Sequence, residues 1–292
     1  MKLKQLEKHM WLFETLIDED IEQKFDEALE YLSQGSLLAS ELTLTKLLSE
    51  YPQHIDAWVH LGLVYEYSGR KMESYLALRE AHRIGLAAFP TTFNWDKDLL
   101  EWGFIENRPF LRACFNLALH MADTPMAVEA EQIFTRLVKI SPNDNQGARY
   151  LLLKRFLETG NKLKLQWLDT KYPEDHSPEF LYGKVLFALM HQDMDRAKAA
   201  FSEAKAAFPL VARELKKKRH PRPAGFNEGY ITVGGKDQAL GRFLNLLCFL
   251  DQAIFKQMFK LGHSRNFMPL NILMFELLKK PFLYIDKKKK LN

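Results

Sequence analysis

The feature that most constrains this chain is an internal repeat of 34 residues near its N-terminus. Five positions recur with an identical or similar side chain: Ala28, Tyr31, Gly35, Ser40 and Leu44 correspond to Gly62, Tyr65, Gly69, Ser74 and Leu78. A period of this length, with a small residue, an aromatic and a glycine at fixed offsets, is typical of a repeated helix–turn–helix unit. The sequence therefore predicts an all-α fold of stacked helical hairpins. In the first hairpin, Gly35 is predicted to end one helix in a left-handed conformation.

The pattern resumes after an interruption, at an offset of 56 residues from the second repeat. The third repeat carries Cys114, Leu117, Ala118, Met121, Ala130, Phe134, Leu137 and Pro142 where the second has Trp58, Leu61, Gly62, Tyr65, Ser74, Leu78, Ala81 and Leu86. A degenerate fourth repeat is predicted from Asp144 to Pro173, and a fifth ends at Pro209. Small residues at the helix crossings allow close approach of the axes. Stacking of neighbouring hairpins completes a core that no single hairpin can form.

The second repeat, with Trp58, Leu61, Gly62, Tyr65, Ser74, Leu78 and Ala81, resembles the tetratricopeptide repeat (TPR) family. Ser74 stands for the usual Ala, Leu78 for the usual Phe and Leu86 for the usual closing Pro. The resemblance implies a TPR-like right-handed solenoid of helical hairpins that binds partners in a concave groove. The segments WGFIENRPFLRA and ISPNDNQGARYLLL are also similar to uncharacterised bacterial TPR-like proteins.

The chain is predicted to consist of seven parts. We predict an N-terminal capping helix (1–20), two TPR-like hairpins (21–88), a connector with a short helix at Trp95–Trp102 (89–109), three TPR-like hairpins (110–210), a basic Pro/Gly-rich connector (211–238), apolar C-terminal helices (239–285) and a basic tail (286–292). The capping helix is predicted from apolar residues spaced by three and four between Leu3 and Ile17. The connector at 89–109 is either a hinge or a local insertion packed by its own aromatic side chains.

Composition suggests a reducing compartment. The two cysteines, Cys114 and Cys248, belong to no metal or redox motif. The first residues lack the pattern of a secretory signal. Charged residues interrupt the apolar stretches after residue 239, which disfavours transmembrane helices. We expect a cytoplasmic protein.

No catalytic, cofactor or metal pattern is found in the sequence. The segment Gly229–Lys236 departs from a phosphate loop, because Tyr230 and Asp237 stand where glycine and Ser or Thr are required. No two histidines have the spacing of a helical zinc site. We therefore expect no enzymatic activity, no cofactor and no small-molecule substrate.

The family resemblance implies a partner-binding groove lined by the first helix of each hairpin. Carrying the repeat frame forward places Asp56, Glu66, Arg112, Phe115, Asn116 and Arg149 in that groove. Arg112, Asn116 and Arg149 would suit a carboxylate or an acidic peptide, since a guanidinium can hold a carboxylate through two hydrogen bonds. Alternatively, the arginines pair with acids of the chain itself, such as Glu106 or Asp144.

Two functional hypotheses follow. The first is a non-enzymatic scaffold that binds a protein or peptide in the groove. The second is a peripheral polyanion binder, directed at an anionic membrane or nucleic acid. It depends on the basic C-terminal third, where residues 211–292 hold 17 Lys and Arg against 6 Asp and Glu. Its candidate residues are Lys216, Lys217, Lys218, Arg219 and Arg222. That charge could instead only keep an apolar segment soluble.

Overall fold

The structure is a computed structural model in which residues 2–14, 18–215 and 235–236 are described. The chain is predominantly helical, as predicted. It divides into two compact units, the first ending at Leu152 and the second beginning at Leu153. The predicted connector after residue 215, the C-terminal helices and the basic tail lie almost entirely outside the described residues.

The first unit contains three helical hairpins. They are α1 (Glu19–Ser33) with α2 (Leu37–Glu50), α3 (Ile55–Tyr67) with α4 (Lys71–Ala87), and α5 (Arg108–Ala122) with α6 (Ala127–Ile140). Each second helix packs on the first helix of the next hairpin, and α3 also contacts both α1 and α5. This is the stacking that a helical repeat requires in order to exclude water. The helix α7 (Ala148–Glu158) begins in this unit and crosses the division.

Among the described residues of the second unit, four further helices follow α7. They are α8 (Lys162–Lys171), α9 (Pro178–Met190), α10 (Met194–Ala207) and the short α11 (Pro209–Leu215). Within this unit α9 packs on α8 and α10, and α11 packs on α10. The Tyr182 side chain is fully buried in this core, and its hydroxyl donates to the Phe208 carbonyl at 3.1 Å.

The ends of α1 and α3 confirm the repeat at the level of single hydrogen bonds. Gly35 and Gly69 both have a φ of 75°, a left-handed conformation that glycine adopts without a Cβ clash. The N–H of Ser36 donates to the Tyr31 carbonyl at 2.8 Å, and that of Arg70 donates to the Tyr65 carbonyl at 2.8 Å. These bonds satisfy carbonyls that the end of a helix leaves without a partner.

The predicted N-terminal capping helix is wrong. Residues 2–14 form an antiparallel hairpin of β1 (Lys2–Glu7) and β2 (Met10–Glu14), in which Leu3 pairs with Phe13 and Gln5 with Trp11. Burial follows a period of two, because Trp11 and Phe13 are buried while Leu12 between them is only half-buried. The same residues also have apolar side chains at helical spacing, which led to the prediction of a helix. The strand forms because the edge of β2 hydrogen-bonds to a segment about 90 residues away, and local periodicity does not reveal such a contact.

That distant segment is the connector between the second and third hairpins. The N–H of Trp11 donates to the Leu99 carbonyl at 3.0 Å, and the N–H of Leu99 donates to the His9 carbonyl at 2.7 Å. The predicted short helix at Trp95–Trp102 is therefore wrong; this stretch consists of turns and a β-bridge, followed by a 3₁₀ turn at Ile105–Asn107. A β-bridge and a helix compete for the same backbone groups.

An aromatic cluster explains why the connector is ordered. The ring of Phe89 lies 4.7 Å from those of Phe93 and Trp95 and 5.0 Å from that of Phe110, between ring centroids. Phe13 of β2 adds a contact at 5.4 Å to Phe110. Of the two alternatives that the sequence left open, the local insertion packed by its own aromatics is confirmed. The cluster supports one wall of the pocket described below.

Candidate functional site

The groove residues Asp56 and Arg112 form an ion pair with each other. Asp56 lies in the first turn of α3 and is 7 % exposed, while Arg112 lies in the first turns of α5. Nε of Arg112 donates to Oδ1 of Asp56 at 2.9 Å, and Nη2 contacts Oδ2 of the same carboxylate. The guanidinium thus binds a carboxylate of the chain itself in a bidentate manner. The partner of Arg112 is therefore Asp56 and not Glu106, which the sequence had offered as one alternative.

Arg149 also pairs with an acid of the chain. Its Nη1 lies 3.1 Å from Oδ2 of Asp144, and its backbone N–H donates to the same oxygen at 2.9 Å. Burial raises the pKa of Asp144, while the hydrogen bonds from Arg149 and Ala148 favour its charged form. For Arg149, the predicted alternative of pairing with Asp144 is confirmed. The carboxyl group also begins α7, because it accepts the Ala148 N–H at 2.8 Å.

The other three predicted groove residues have partners within the first unit. Asn116 donates to the Arg112 carbonyl one turn earlier at 2.9 Å. The ring of Phe115 makes an edge contact with Phe134, at 5.8 Å between centroids. Glu66 pairs with Lys71 and lies 3.3 Å from Nδ1 of His120. The hydrogen bond from Lys71 lowers the pKa of Glu66. All three side chains are half-buried.

A deeper pocket lies at the N-terminal ends of α1, α3 and α5. Its volume is about 580 Å³, within the range of ligand and peptide pockets. We call it the acidic pocket; it is lined by Phe13, Ile21, Glu22, Phe25, Glu50, Tyr51, Pro52, Gln53, His54, Ile55, Asp56, Ile105, Glu106, Pro109, Phe110 and Arg112. The Asp56–Arg112 pair forms part of its wall. Ile105 and Tyr51, at its rim, are 69 % and 39 % exposed and extend the apolar lining towards solvent.

Charges around the acidic pocket are mostly negative. Four carboxyl groups, of Glu22, Glu50, Asp56 and Glu106, face a single cation, Arg112. Among the described residues, Glu22 and Glu106 form no ion pair, whereas Glu50 pairs with Lys24 at 3.1 Å. Burial raises the pKa of Glu22, and the negative charges of Asp26 and Asp56 add to that effect. The site therefore has an apolar floor and a rim on which two of the four carboxyl groups, those of Glu22 and Glu106, have no ion-pair partner among the described residues.

A second, wider depression lies beside α5 and the start of α7. It has a volume of about 600 Å³ and is lined by Phe115, Leu119, Asn143, Asp144, Asn145, Gln146, Gly147, Arg149, Tyr150 and Leu151. Phe115 and Arg149 are the predicted groove residues here. Leu119, on the same face, is 46 % exposed. Its cation, Arg149, is already paired, so this depression offers apolar contact more than anion binding.

Sequence reasoning missed most of the acidic pocket. Glu22, Tyr51 and Ile105 were not selected, and Phe13 was placed in a helix rather than in the pocket wall. One available signal was the exposed Ile105–Glu106 pair beside Pro109, an apolar and an acidic residue next to a helix start. The predicted polyanion residues Lys216, Lys217, Lys218, Arg219 and Arg222 lie outside the described residues.

Within the described ranges, no group of His, Cys, Asp and Glu side chains could hold a metal ion. Cys114 lies on the buried side of α5, and burial raises the pKa of its thiol. No helix in the same ranges is both long and apolar enough to cross a membrane.

The hairpins and their stacking define a helical-repeat protein with a TPR-like fold. A tetratricopeptide repeat protein from Parabacteroides merdae ATCC 43184 has a similar structure, with a TM-score of 0.50 and 12 % sequence identity over 85 % of this chain and 100 % of that one. PilF of Pseudomonas aeruginosa matches less well, with a TM-score of 0.35 and 15 % identity over 66 % of this chain and 93 % of that one. At this identity the first likeness shows the fold alone. No curated protein matches the sequence significantly.

The particular family differs from the one that the repeats resemble. The family described as "Transcriptional repressor TCF25" matches residues 22–229, most of the chain. The chain belongs to the Tcf25 family. Both segments that resemble bacterial TPR-like proteins, 102–113 and 140–153, lie within the matched residues, which assigns them to this family instead.

Proposed function

We propose that this chain is a non-enzymatic scaffold that binds a partner protein at the N-terminal ends of α1, α3 and α5. The acidic pocket is the observation that carries this proposal. It combines about 580 Å³ of space with exposed apolar side chains at its rim. Contiguous exposed apolar surface rimmed by polar residues marks interaction sites in soluble proteins. Stacked helical hairpins provide the rigid backbone on which such a surface keeps its shape.

The ion pairs support binding of an uncharged or cationic group over an acidic one. For Arg112 and Arg149 the sequence left open either an acidic peptide or acids of the chain itself, and both side chains hold carboxylates of the chain. The groove residues Asp56 and Arg112 retain a role in the proposal as part of the pocket wall. Glu66 lies further along α3, Phe115 and Asn116 lie further along α5, and Arg149 lies at the start of α7. An extended partner would continue over these residues.

Site-specific photo-crosslinking tests the proposal. p-Benzoylphenylalanine replaces Ile105 at the rim of the acidic pocket, or Leu42 on α2 as a control. The two side chains are matched, since both are aliphatic and are 69 % and 63 % exposed. We expect discrete crosslinked partners in native cells for position 105 and none for position 42. Equal crosslinking at both positions, or none at position 105, would contradict the proposal.

The family description places the proposed scaffold in the context of transcription. The matched family is described as a transcriptional repressor, and we propose that the scaffold would serve such a role by binding other proteins. The family description also favours a nuclear location as the alternative to the cytoplasmic location expected from the sequence. Imaging of the full chain with a fluorescent tag distinguishes the two: exclusion from the nucleus would contradict a direct role in transcription.

A further inference from the structure

The acidic pocket has features that define the chemistry of its occupant, and this inference rests on the proposed function. Its floor is apolar, formed by Phe13, Phe25 and Phe110, which are at most 7 % exposed. At its rim, Ile105 and Tyr51 are available to extend an apolar contact. Such a cavity accepts a large aliphatic or aromatic side chain, which gains free energy in proportion to the apolar area it buries.

The rim selects the charge beside that side chain. Glu22 and Glu106 face the pocket without an ion pair among the described residues, and Glu50 is shared with Lys24. An occupant that brings a cation to the rim beside Glu22 would relieve the repulsion that Asp26 and Asp56 exert on this carboxylate. A Lys or Arg next to the apolar side chain would do so.

An acidic occupant meets the opposite situation. To hold a carboxylate, Arg112 would have to release Asp56, which is 7 % exposed and accepts both prongs of the guanidinium. Removing one partner of a buried ion pair leaves an uncompensated charge, which is strongly unfavourable. The approach of a second anion would also be opposed by Glu22 and Glu106.

We propose that the acidic pocket binds a peptide segment of a partner protein in which a large apolar side chain is flanked by Lys or Arg. The apolar side chain enters between Phe25 and Phe110, and the basic residue lies at the rim beside Glu106 and Glu22. Apolar burial supplies affinity, and the acidic rim supplies selectivity for the flanking charge.

A peptide array tests this assignment with the full chain. The probes are synthetic dodecapeptides in which one Leu, Phe or Trp is flanked by Lys and Arg, by Glu and Asp, or by Ser. The strongest peptide of each class is then titrated by fluorescence anisotropy. We expect the basic-flanked class to bind most tightly, and its affinity to fall as salt concentration rises.

Two pocket variants and one control follow the same titration. Glu106→Lys and Ile105→Ser should each weaken the basic-flanked peptide about tenfold, since one reverses a rim charge and the other removes apolar contact without adding charge. Glu129→Lys is the matched control, because Glu129 is also an exposed acid in a first helical turn, that of α6, and does not line the pocket. Its affinity should equal that of the native chain. Circular dichroism of all three variants verifies that they are folded.

The outcomes separate this inference from the proposed function. Stronger binding of acid-flanked or Ser-flanked peptides, or unchanged affinity in Glu106→Lys, overturns the assignment of a basic-flanked occupant. If position 105 nevertheless crosslinks to partners, the scaffold proposal stands without it. If no peptide class binds and position 105 captures nothing, both are overturned.

Discussion

Replacing Asn107 by alanine should destabilise the first unit more than replacing Asn116 by alanine. The side chain is fully buried and links three segments of the chain. Its Oδ1 accepts the Phe13 N–H at 3.0 Å, and its Nδ2 donates to the carbonyls of Trp11 at 3.2 Å and Glu101 at 3.1 Å. One residue therefore attaches β2 and the connector to the start of α5.

The magnitude follows from these three bonds. A buried hydrogen bond contributes about 1 kcal/mol net, and a buried donor left without a partner costs about 1–3 kcal/mol. The Phe13 N–H would be such a donor, whereas each carbonyl retains a second lone pair. We expect Asn107→Ala to lower the free energy of unfolding by about 2–4 kcal/mol. No helix cap is lost, because the Asn107 side chain makes no capping bond to α5.

Urea denaturation followed by far-UV circular dichroism and tryptophan fluorescence measures this loss. Trp11 and Trp95 lie in the affected region and report on it directly. Asn116→Ala is the matched control, since its amide donates only to the Arg112 carbonyl of its own helix. We expect the control to change stability by less than about 1 kcal/mol. If both variants lose the same stability, the reasoning about Asn107 is refuted.

Three further predictions concern packing and charge. Gly85→Ala should destabilise the first unit by about 1–3 kcal/mol in urea denaturation, because its new Cβ would lie 2.2 Å from Cδ2 of Phe110; unchanged stability would contradict this packing. Burial lowers the pKa of His82 from 6.5 to about 4. The unfolded state therefore takes up a proton at a higher pH than the folded state does, and the free energy of unfolding should fall as pH decreases from about 6.5 to 4. His82→Leu should reduce that fall by about 3 kcal/mol, and parallel pH profiles would argue against the buried neutral imidazole. Asp56→Asn should cost about 3 kcal/mol because it leaves Arg112 half-buried without its anion, and the loss should shrink in the Asp56→Asn, Arg112→Gln double variant.

The repeats could be predicted because their determinants are local. The left-handed glycine after α1 recurs after α3, and the small residue Gly62 lets α4 approach, since a Cβ there would lie 2.8 Å from Cγ of Leu78. Ser40 is buried and donates to the Ala28 carbonyl at 2.9 Å, which explains a small polar residue at a crossing. Each of these requirements is imposed within one hairpin, so each leaves a residue at a fixed offset.

The N-terminal hairpin and the pocket could not be predicted in the same way. β2 is stabilised by Leu99, and the pocket joins residues from Phe13 to Arg112, so both depend on contacts between distant parts of the sequence. Frame counting placed Arg112 on a groove helix, but it gave no means of choosing Asp56 over Glu106 as its partner. That choice is set by the relative position of α3 and α5, which the sequence pattern does not specify.

Hydrogen–deuterium exchange of the full chain tests the central proposal most directly. The chain is labelled with and without the tightest basic-flanked dodecapeptide, and exchange is measured by mass spectrometry. We predict slower exchange in segments 50–56 and 105–112, which line the acidic pocket from two sides. Protection confined to α9 and α10, with those two segments unchanged, would contradict the assignment of this pocket as the binding site.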